Sequence, residues 1–454
     1  MIIKSFAARF RRGVPAALCI ALLISTAMAQ QTNNPQMPEN KLPGLTLEAL
    51  EQMAIKHNPT LGQAEAAVQA AEGRRRQAGL WPNPIVGYEG DGLAFNPSVY
   101  PYRNGQYVFV EQSILTGGKL GKSKNIAAQE KAQSQAEAEA QRMRVLNSVR
   151  MLYYQAAGAQ QLVDLRQQLT DWAREATDIS SQLFNVGQAD RPDVLTAEVE
   201  LQRAEIELAR AKNDFNRVWQ LLAAVVGDTQ LKPERLDYVL EKPAPVLAQD
   251  ELFATLLRDS PEMKRALAGA ERSKAVVSRA KAEPKPDVYV RGGIGYSNEW
   301  AEFYGGKTGW EARVEAGVRL PIFNRNQGNV AASKAELTAA ENEVQRVELS
   351  LRARLADSFN RYQNSLVVAS RYQREVLPRA QQAYDLYLAK FRQMAAAYPL
   401  ALNAQRTLFQ ARTEYIGSLV ELWQNVVQLQ GMLLMGGLDA PSSNSVTASE
   451  RVNQ

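Results

Sequence analysis

The chain carries the same order of landmarks twice. Trp81-Pro82-Asn83-Pro84 leads into an apolar, strand-like segment, and so does Glu283-Pro284-Lys285-Pro286, at an offset of 202. Asn58-Pro59 and Ser260-Pro261 stand at that same offset. Asn125-Ile126-Ala127-Ala128 corresponds to Asn329-Val330-Ala331-Ala332, and Phe184 with Pro192 to Phe391 with Pro399, so the offset drifts only to 207. A repeat of that length is a whole supersecondary unit rather than a solenoid tile. Any fold for this chain must accommodate two copies of one helix–hairpin–helix plan.

Residues 1–29 stand outside the duplication and read as a secretory signal peptide. Lys4, Arg9, Arg11 and Arg12 precede an apolar run from Val14 to Ile24, and Ala27-Met28-Ala29 is an A-x-A cleavage site. The run is short for a membrane anchor. Leu18 occupies the place of the small residue that a lipidated Cys19 would need. Cleavage before Gln30 lowers the formal charge from +5 to +1, which removes most of the electrostatic case for a nucleic-acid partner. Cys19 is the only cysteine, so the mature chain is expected to have no disulfide, thiolate nucleophile or cysteine metal site. No later stretch has 18 consecutive apolar residues. An exported chain of this kind is periplasmic, secreted, or inserted in an outer membrane as strands.

The expected organisation is an extended arm over 30–44, a first repeat over 45–231, a linker over 232–250, a second repeat over 251–436 and a disordered tail over 437–454. In the first repeat, Thr46 is an N-cap candidate and Pro59 opens a helix towards Leu80. Ile85 to Leu93 and Gln106 to Gln112 read as strands. Lys122 to Val186 has no proline and one glycine, predicting a helix on the order of 100 Å long. Gly187 and Pro192 mark a turn before a helix from Asp193 to Val226. The second repeat follows suit, with a hairpin near 287–320, a helix from Gly328, a turn near Pro399 and a helix to about Met435. Pro378 is expected to kink or break the long helix of that half.

The last helix of each repeat shows a seam. Val194, Leu201, Leu208, Phe215 and Leu222 recur every seven residues, against Ala197, Ala204, Ala211, Val218 and Val225. Leu408, Tyr415, Leu422 and Leu429 face Ala404, Ala411 and Ser418 in the second copy. Large against small along a heptad suits closely packed antiparallel helices, although an ordinary coiled coil would show the same.

The hairpins decide the class. Trp310, Ala312, Val314, Ala316, Val318 and Leu320 alternate with Glu311, Arg313, Glu315, Gly317 and Arg319. One face is apolar and the other charged, over a length that crosses a bilayer as a tilted strand. Val288, Val290, Ile294 and Tyr296 give the partner strand, and Glu89 and Asp91 share a face in the first hairpin. A soluble hairpin lying on a core is the alternative. Four strands do not close a barrel, and an open edge does not sit in lipid. Spanning strands therefore imply a homo-oligomer, with three copies and twelve strands the smallest number that leaves a pore. Glu311, Arg313, Glu315 and Arg319 would then face the barrel lumen.

Leu45-Thr46-Leu47-Glu48-Ala49-Leu50, His57-Asn58-Pro59, Gln77-Ala78-Gly79-Leu80-Trp81-Pro82-Asn83-Pro84 and Gly117-Gly118-Lys119 resemble the TolC-type outer-membrane efflux family, especially its metal-resistance (CzcC- and CusC-like) branch. Ala404-Gln405-Arg406-Thr407-Leu408, with Ala411-Arg412 and Glu414-Tyr415, is similar to the family's terminal helix. The resemblance spans about residues 45–436. It implies an α+β channel-tunnel: a homotrimer with a twelve-stranded barrel in outer-membrane lipid and a helical barrel across the periplasm. The implied partners are a periplasmic adaptor (membrane fusion) protein and an inner-membrane resistance–nodulation–division transporter. The family's adaptor-facing tip has a glycine followed by Asp-Val-Leu, which Gly187 and Asp193-Val194-Leu195 match. The second tip departs, with Met394 for the glycine and Leu400-Ala401-Leu402 for the acidic signature, leaving Leu400 as its contact candidate. Asp193 also suits a helix first turn. Asp190 is a candidate for the periplasmic gate, with a solvated loop carboxylate as the plainer alternative.

Other motifs fail on chemistry. Gly117-Gly118-Lys119-Leu120-Gly121-Lys122-Ser123 lacks the first glycine of a phosphate loop, having Thr116 there, and reads as a strand-to-helix turn. His57 is the only histidine, so no triad or soft metal site forms around it. No catalytic residue, cofactor or metal ligand is expected, and the chain reads as a passive exit duct for metal cations. The alternatives are a duct for multidrug efflux or type I protein secretion, and a soluble periplasmic coiled-coil scaffold. Detergent-requiring extraction separates the duct from the scaffold.

Overall fold

The computed structural model describes residues 45–92, 105–238, 240–297, 309–392 and 398–441. The expected leader, the arm over 30–44, the hairpin loops, Met394 and the tail from 442 lie outside the described residues.

The first repeat contains α1 (Leu47–His57), α2 (Pro59–Gln77), β1 (Ile85–Asp91), β2 (Gly105–Ile114), α3 (Lys119–Asn185) and α4 (Arg191–Val226). The second contains α5 (Gln249–Asp259), α6 (Pro261–Ala282), β3 (Val288–Ser297), β4 (Gly309–Val318), α7 (Gln327–Arg371), α8 (Leu377–Arg392) and α9 (Tyr398–Gln430). With 67 residues, α3 is about 100 Å long. It packs against α2 and α4 of its own repeat, and α7 packs in the same way against α6 and α9. Contacts of α3 with α6 and α9 join the two repeats side by side.

The Asn58-Pro59 pair explains how two shorter helices line one long one. Asn58 caps the end of α1 and the start of α2, accepting from the Thr60 N–H at 2.9 Å. Its Nδ2 donates to the carbonyl of Val225 at 2.7 Å, in the last turn of α4. Gly227 closes α4 in the left-handed region, φ 84°, where a Cβ would lie 2.6 Å from the His57 carbonyl oxygen. The ends of α2 and α4 therefore meet, and together they track α3. On the other side, Gly158 lets α9 approach, since a Cβ there would come within 2.2 Å of Val420 Cγ2.

The core lies at this junction. Trp219, Leu222, Val226, Leu50, Val145, Val149, Leu351 and Leu355 are essentially inaccessible to solvent, each contributing about 1.5–3 kcal/mol by burial. The heptad residues Val194, Leu208, Leu222, Leu408, Leu422 and Leu429 are buried with their small partners Ala197, Ala211 and Val218. The stretch over 232–250 is more than a connector. Leu236 and Leu240 are buried in the core, Leu45 forms a parallel bridge with Leu236, and the Leu240 carbonyl accepts from Trp423 Nε1 at 2.8 Å.

Three expectations are corrected. Pro192 lies inside the first turn of α4, where a missing N–H costs nothing. Pro378 does not break its helix but does accompany a distortion: a π-helical turn, Tyr372–Val376, a place where helices kink, stands just before it and the path continues into α8. The final helix stops at Gln430, not Met435, because Met432 and Leu433 take left-handed φ values of 56° and 61°. That turn is held by α3. Asn147 Nδ2 donates to the carbonyls of Gly431 and Leu434, both at 2.8 Å, and Gly437 N–H donates to Ser148 Oγ at 3.0 Å.

Candidate functional site

The four strands form one antiparallel sheet in the order β1-β2-β3-β4, so the hairpins of the two repeats are joined through β2 and β3. The register sorts the side chains cleanly. Val86, Val110, Gly292 and Val314 stand in one row, and Tyr88, Val108, Ile294 and Ala312 in the next. No residue on this face of the strands is charged. It is also uncovered: Val314 is 82% exposed and Trp310 78%. A soluble hairpin would cover this face with a core; here it stands open, as a lipid-facing strand surface does.

The opposite face carries Glu89, Asp91, Glu111, Glu311 and Glu315 against Arg291 and Arg313, an excess of three negative charges. These are organised side chains. Arg291 pairs with Glu89 and lies 3.5 Å over the Phe109 ring, while Arg313 reaches Glu311 at 3.2 Å and lies 3.8 Å over Tyr107. Each ring occupies space left by a glycine on the next strand. A Cβ at Gly87 would strike Phe109 at 2.4 Å, at Gly295 Tyr107 at 2.3 Å, and at Gly317 Tyr289 at 2.3 Å. Phe109 and Tyr107 thus hold Arg291 and Arg313 against the sheet by cation–π attraction, while the Tyr289 hydroxyl donates to Glu315 at 2.9 Å.

Below the sheet, Lys119 is buried and bonded to Asp287 at 2.7 Å, and Asp287 also accepts from the Thr116 N–H at 2.8 Å. The Gly117-Gly118-Lys119 run is therefore a clamp between a strand end and a helix start. Its lysine is consumed by an ion pair. Arg319 lies one residue past β4, its N–H on the Asp287 carbonyl at 3.4 Å, and lines a cavity of about 670 Å³ with Lys119 and Lys285. Further down, a cleft of about 1110 Å³ touches α2, α3, α6 and α7, lined by six arginines and five glutamates. Its charges are largely paired across helices, with Arg265–Glu137 at 3.1 Å and Arg272–Glu130 at 2.9 Å.

At the far end, α3 turns into α4 through Gly187, whose φ of 74° suits glycine. Asp190 is the N-cap residue of α4. Its N–H donates to Asp193 Oδ2 at 3.4 Å, and the Asp193 N–H donates to the Asp190 carbonyl at 3.0 Å. Gly187, Asp190, Asp193 and Leu195 are exposed; Val194 is 2% exposed and belongs to the helix seam. Leu400, in the first turn of α9, is exposed.

Residues 50–228 and 252–433 match the family described as outer membrane efflux protein. The chain belongs to that family. As an outer membrane efflux protein it has two matched segments that follow its two repeats. It is 28% identical over 432 residues to the cobalt-zinc-cadmium resistance protein CzcC of Cupriavidus metallidurans, covering 92% of this chain and 98% of that one. Among solved structures it resembles CusC, with a TM-score of 0.69 at 18% identity, covering 86% of this chain and 92% of that one. The outer membrane protein VceC of Vibrio cholerae gives a TM-score of 0.68 at 17% identity, covering 86% and 96%. The fold is the channel-tunnel of these proteins.

For this efflux protein, the structure brings Glu311, Arg313 and Glu315 together on one strand face and sets Arg319 below it. Arg291, Phe109, Tyr107 and Tyr289 carry no signal in the sequence alone, because Gly292, Gly293 and Gly295 blur in β3 the alternation that marks β4. Among the described residues no helix is long and apolar enough to cross a membrane, and no group of three or more His, Cys, Asp and Glu could hold a metal ion.

Proposed function

We propose that three copies of this chain form the outer-membrane exit duct of a tripartite metal-efflux pump. The carrying observation is the sheet: a charge-free apolar face, an acidic opposite face, and two edges, β1 and β4, that pair with nothing else among the described residues. Ten-residue strands are about 34 Å long and span about 24 Å when tilted by 45°, close to an outer-membrane apolar band. Four strands leave both edges open in lipid; twelve close them around an aqueous bore.

Metal cations are the cargo this reading favours. Its support is the similarity to CzcC, a cobalt-zinc-cadmium resistance protein, and the negative excess on the inner strand face, which raises cation concentration in a narrow bore. The helical cleft's charges are largely taken up in ion pairs, as a passive duct requires. Gly187, Asp193 and Leu195 of the first tip, with Leu400 of the second, meet a periplasmic adaptor that links the duct to an inner-membrane resistance–nodulation–division transporter. Asp190 faces the periplasmic mouth. Val194 acts from beneath, by fixing the hairpin.

The test is growth of a deletion strain and its complemented parent across divalent and monovalent metals and lipophilic drugs. Sensitivity to metals alone is expected. Sensitivity to drugs alone would overturn the cargo while keeping the duct.

A further inference from the structure

The apolar face and the bore leave a set of exposed apolar side chains at the foot of the sheet without a role. Phe323 is 92% exposed, Leu320 63%, Trp81 61%, Ile322 60% and Leu80 57%. Leu80 and Trp81 lie between α2 and β1, and Leu320 to Phe323 lie between β4 and α7. Each strand of the sheet is antiparallel to the next, so β1 begins, and β4 ends, at the helical end. The two groups therefore sit at one level of the molecule, beneath opposite edges of the sheet. Three strand spacings, about 14 Å, separate those edges within a chain. They do not meet there.

We propose that these groups are the two halves of a joint between protomers, Leu80 and Trp81 of one copy packing on Leu320, Ile322 and Phe323 of the next. This rests on the oligomeric duct described above and names where its copies grip one another. Closing the barrel sets β4 of one copy antiparallel to β1 of the next, the alternation that the sheet already follows. That step brings the two groups together at the level where barrel becomes tunnel. Both are pre-organised, which lowers the entropy lost on docking. Pro82 and Pro84 stiffen the first, and its Pro82 carbonyl accepts from Gln112 Nε2 at 3.0 Å. Pro321 stiffens the second, whose Ile322 carbonyl accepts from Arg325 Nε at 3.2 Å. Apolar contact at this level also seals the wall where strands give way to helices.

The chain suits a thiol test, because its only cysteine, Cys19, lies in the leader expected over residues 1–29. The full chain carrying Trp81→Cys and Phe323→Cys together is expressed in outer membranes, treated with a mild oxidant or a short bis-maleimide, and run on denaturing gels. A disulfide needs Cα atoms within about 7 Å, so the intramolecular disulfide is barred, and only intermolecular products shift the chain to dimer or trimer on the gel. Covalent dimer and trimer are expected in the double variant and in neither single variant. They should also be absent when Trp81→Cys is combined with Val314→Cys on the lipid face. No covalent product while an intact oligomer persists on native gels would overturn the joint and leave the duct standing, with these side chains facing lipid. A chain that is monomeric in mild detergent would overturn both.

Discussion

Replacing Asn58 with alanine removes one small side chain and loosens three helices. Asn58 is 4% exposed, and its Oδ1 accepts from the Thr60 N–H at 2.9 Å and from Thr60 Oγ1 at 2.7 Å while its Nδ2 donates to the Val225 carbonyl at 2.7 Å. Loss of the cap costs about 1 kcal/mol. Leaving the buried Val225 carbonyl without its donor costs about 1–3 kcal/mol more. Taking the smaller total, about 2 kcal/mol, and placing all of it on the unfolding barrier, helical circular dichroism in detergent at a fixed high temperature should decay roughly twenty-fold faster. Asn58→Asp separates the two roles. Aspartate is as good an N-cap as asparagine, so a residue acting only as a cap would tolerate it. As a tie to α4 it would not, because a carboxylate oxygen would face the Val225 carbonyl with no proton between them. Asn58→Asp should be at least as damaging as alanine at pH 7 and should recover in mild acid, where the carboxyl regains a donor. Wild-type decay for Asn58→Asp at pH 7 would refute the end-to-end joint of α2 and α4.

In the barrel, Gly317→Ala should lower heat resistance by about 1–3 kcal/mol because its Cβ falls 2.3 Å from the Tyr289 ring, while Gly292→Ala, with nothing within 4 Å, should not; equal melting of the two in detergent would contradict the aromatic–glycine packing. Conductance in planar bilayers should favour cations over anions, more so at low salt, and Glu311→Gln with Glu315→Gln should move the reversal potential towards zero. Burial pushes the Tyr238 hydroxyl up to about 12 from 10.0, with Asp164 nearby adding to it. The unfolded chain therefore ionises first, so stability is lost as pH rises from about 10 towards 12. Tyr238→Phe should leave stability at pH 7 nearly unchanged and move the alkaline unfolding midpoint upward. At the tip, Asp193→Lys should leave the fold intact and reduce cross-linking to the adaptor; unchanged cross-linking would remove the adaptor assignment.

Much of this molecule is written locally. The long α3 follows from a proline-free run of helix formers, the seams from Val194 and Leu408 onward from their seven-residue spacing, and β4 from strict alternation between Trp310 and Val318. The charged lumen candidates Glu311, Arg313 and Glu315 were legible because alternation alone assigns a face. The partners that other strands bring to this face were not. Arg291 pairs with Glu89 from a position 202 residues away, and its stacking on Phe109 needs the glycines opposite.

The sequence by itself determined the periodic elements, their duplication and the two-faced character of the hairpins, because helix and strand periods are properties of neighbours in the chain. Only the tertiary structure decided that β2 pairs with β3, merging two hairpins into one sheet with its free edges at β1 and β4. It also decided that Leu236 and Leu240 of the stretch over 232–250 enter the core, that Asn58 ties α2 to α4, and that a π-helical turn absorbs Pro378. Each of these is a choice among partners far apart in sequence. Packing space and the demand that buried polar groups find a mate settle such choices, and neither is written in any local pattern.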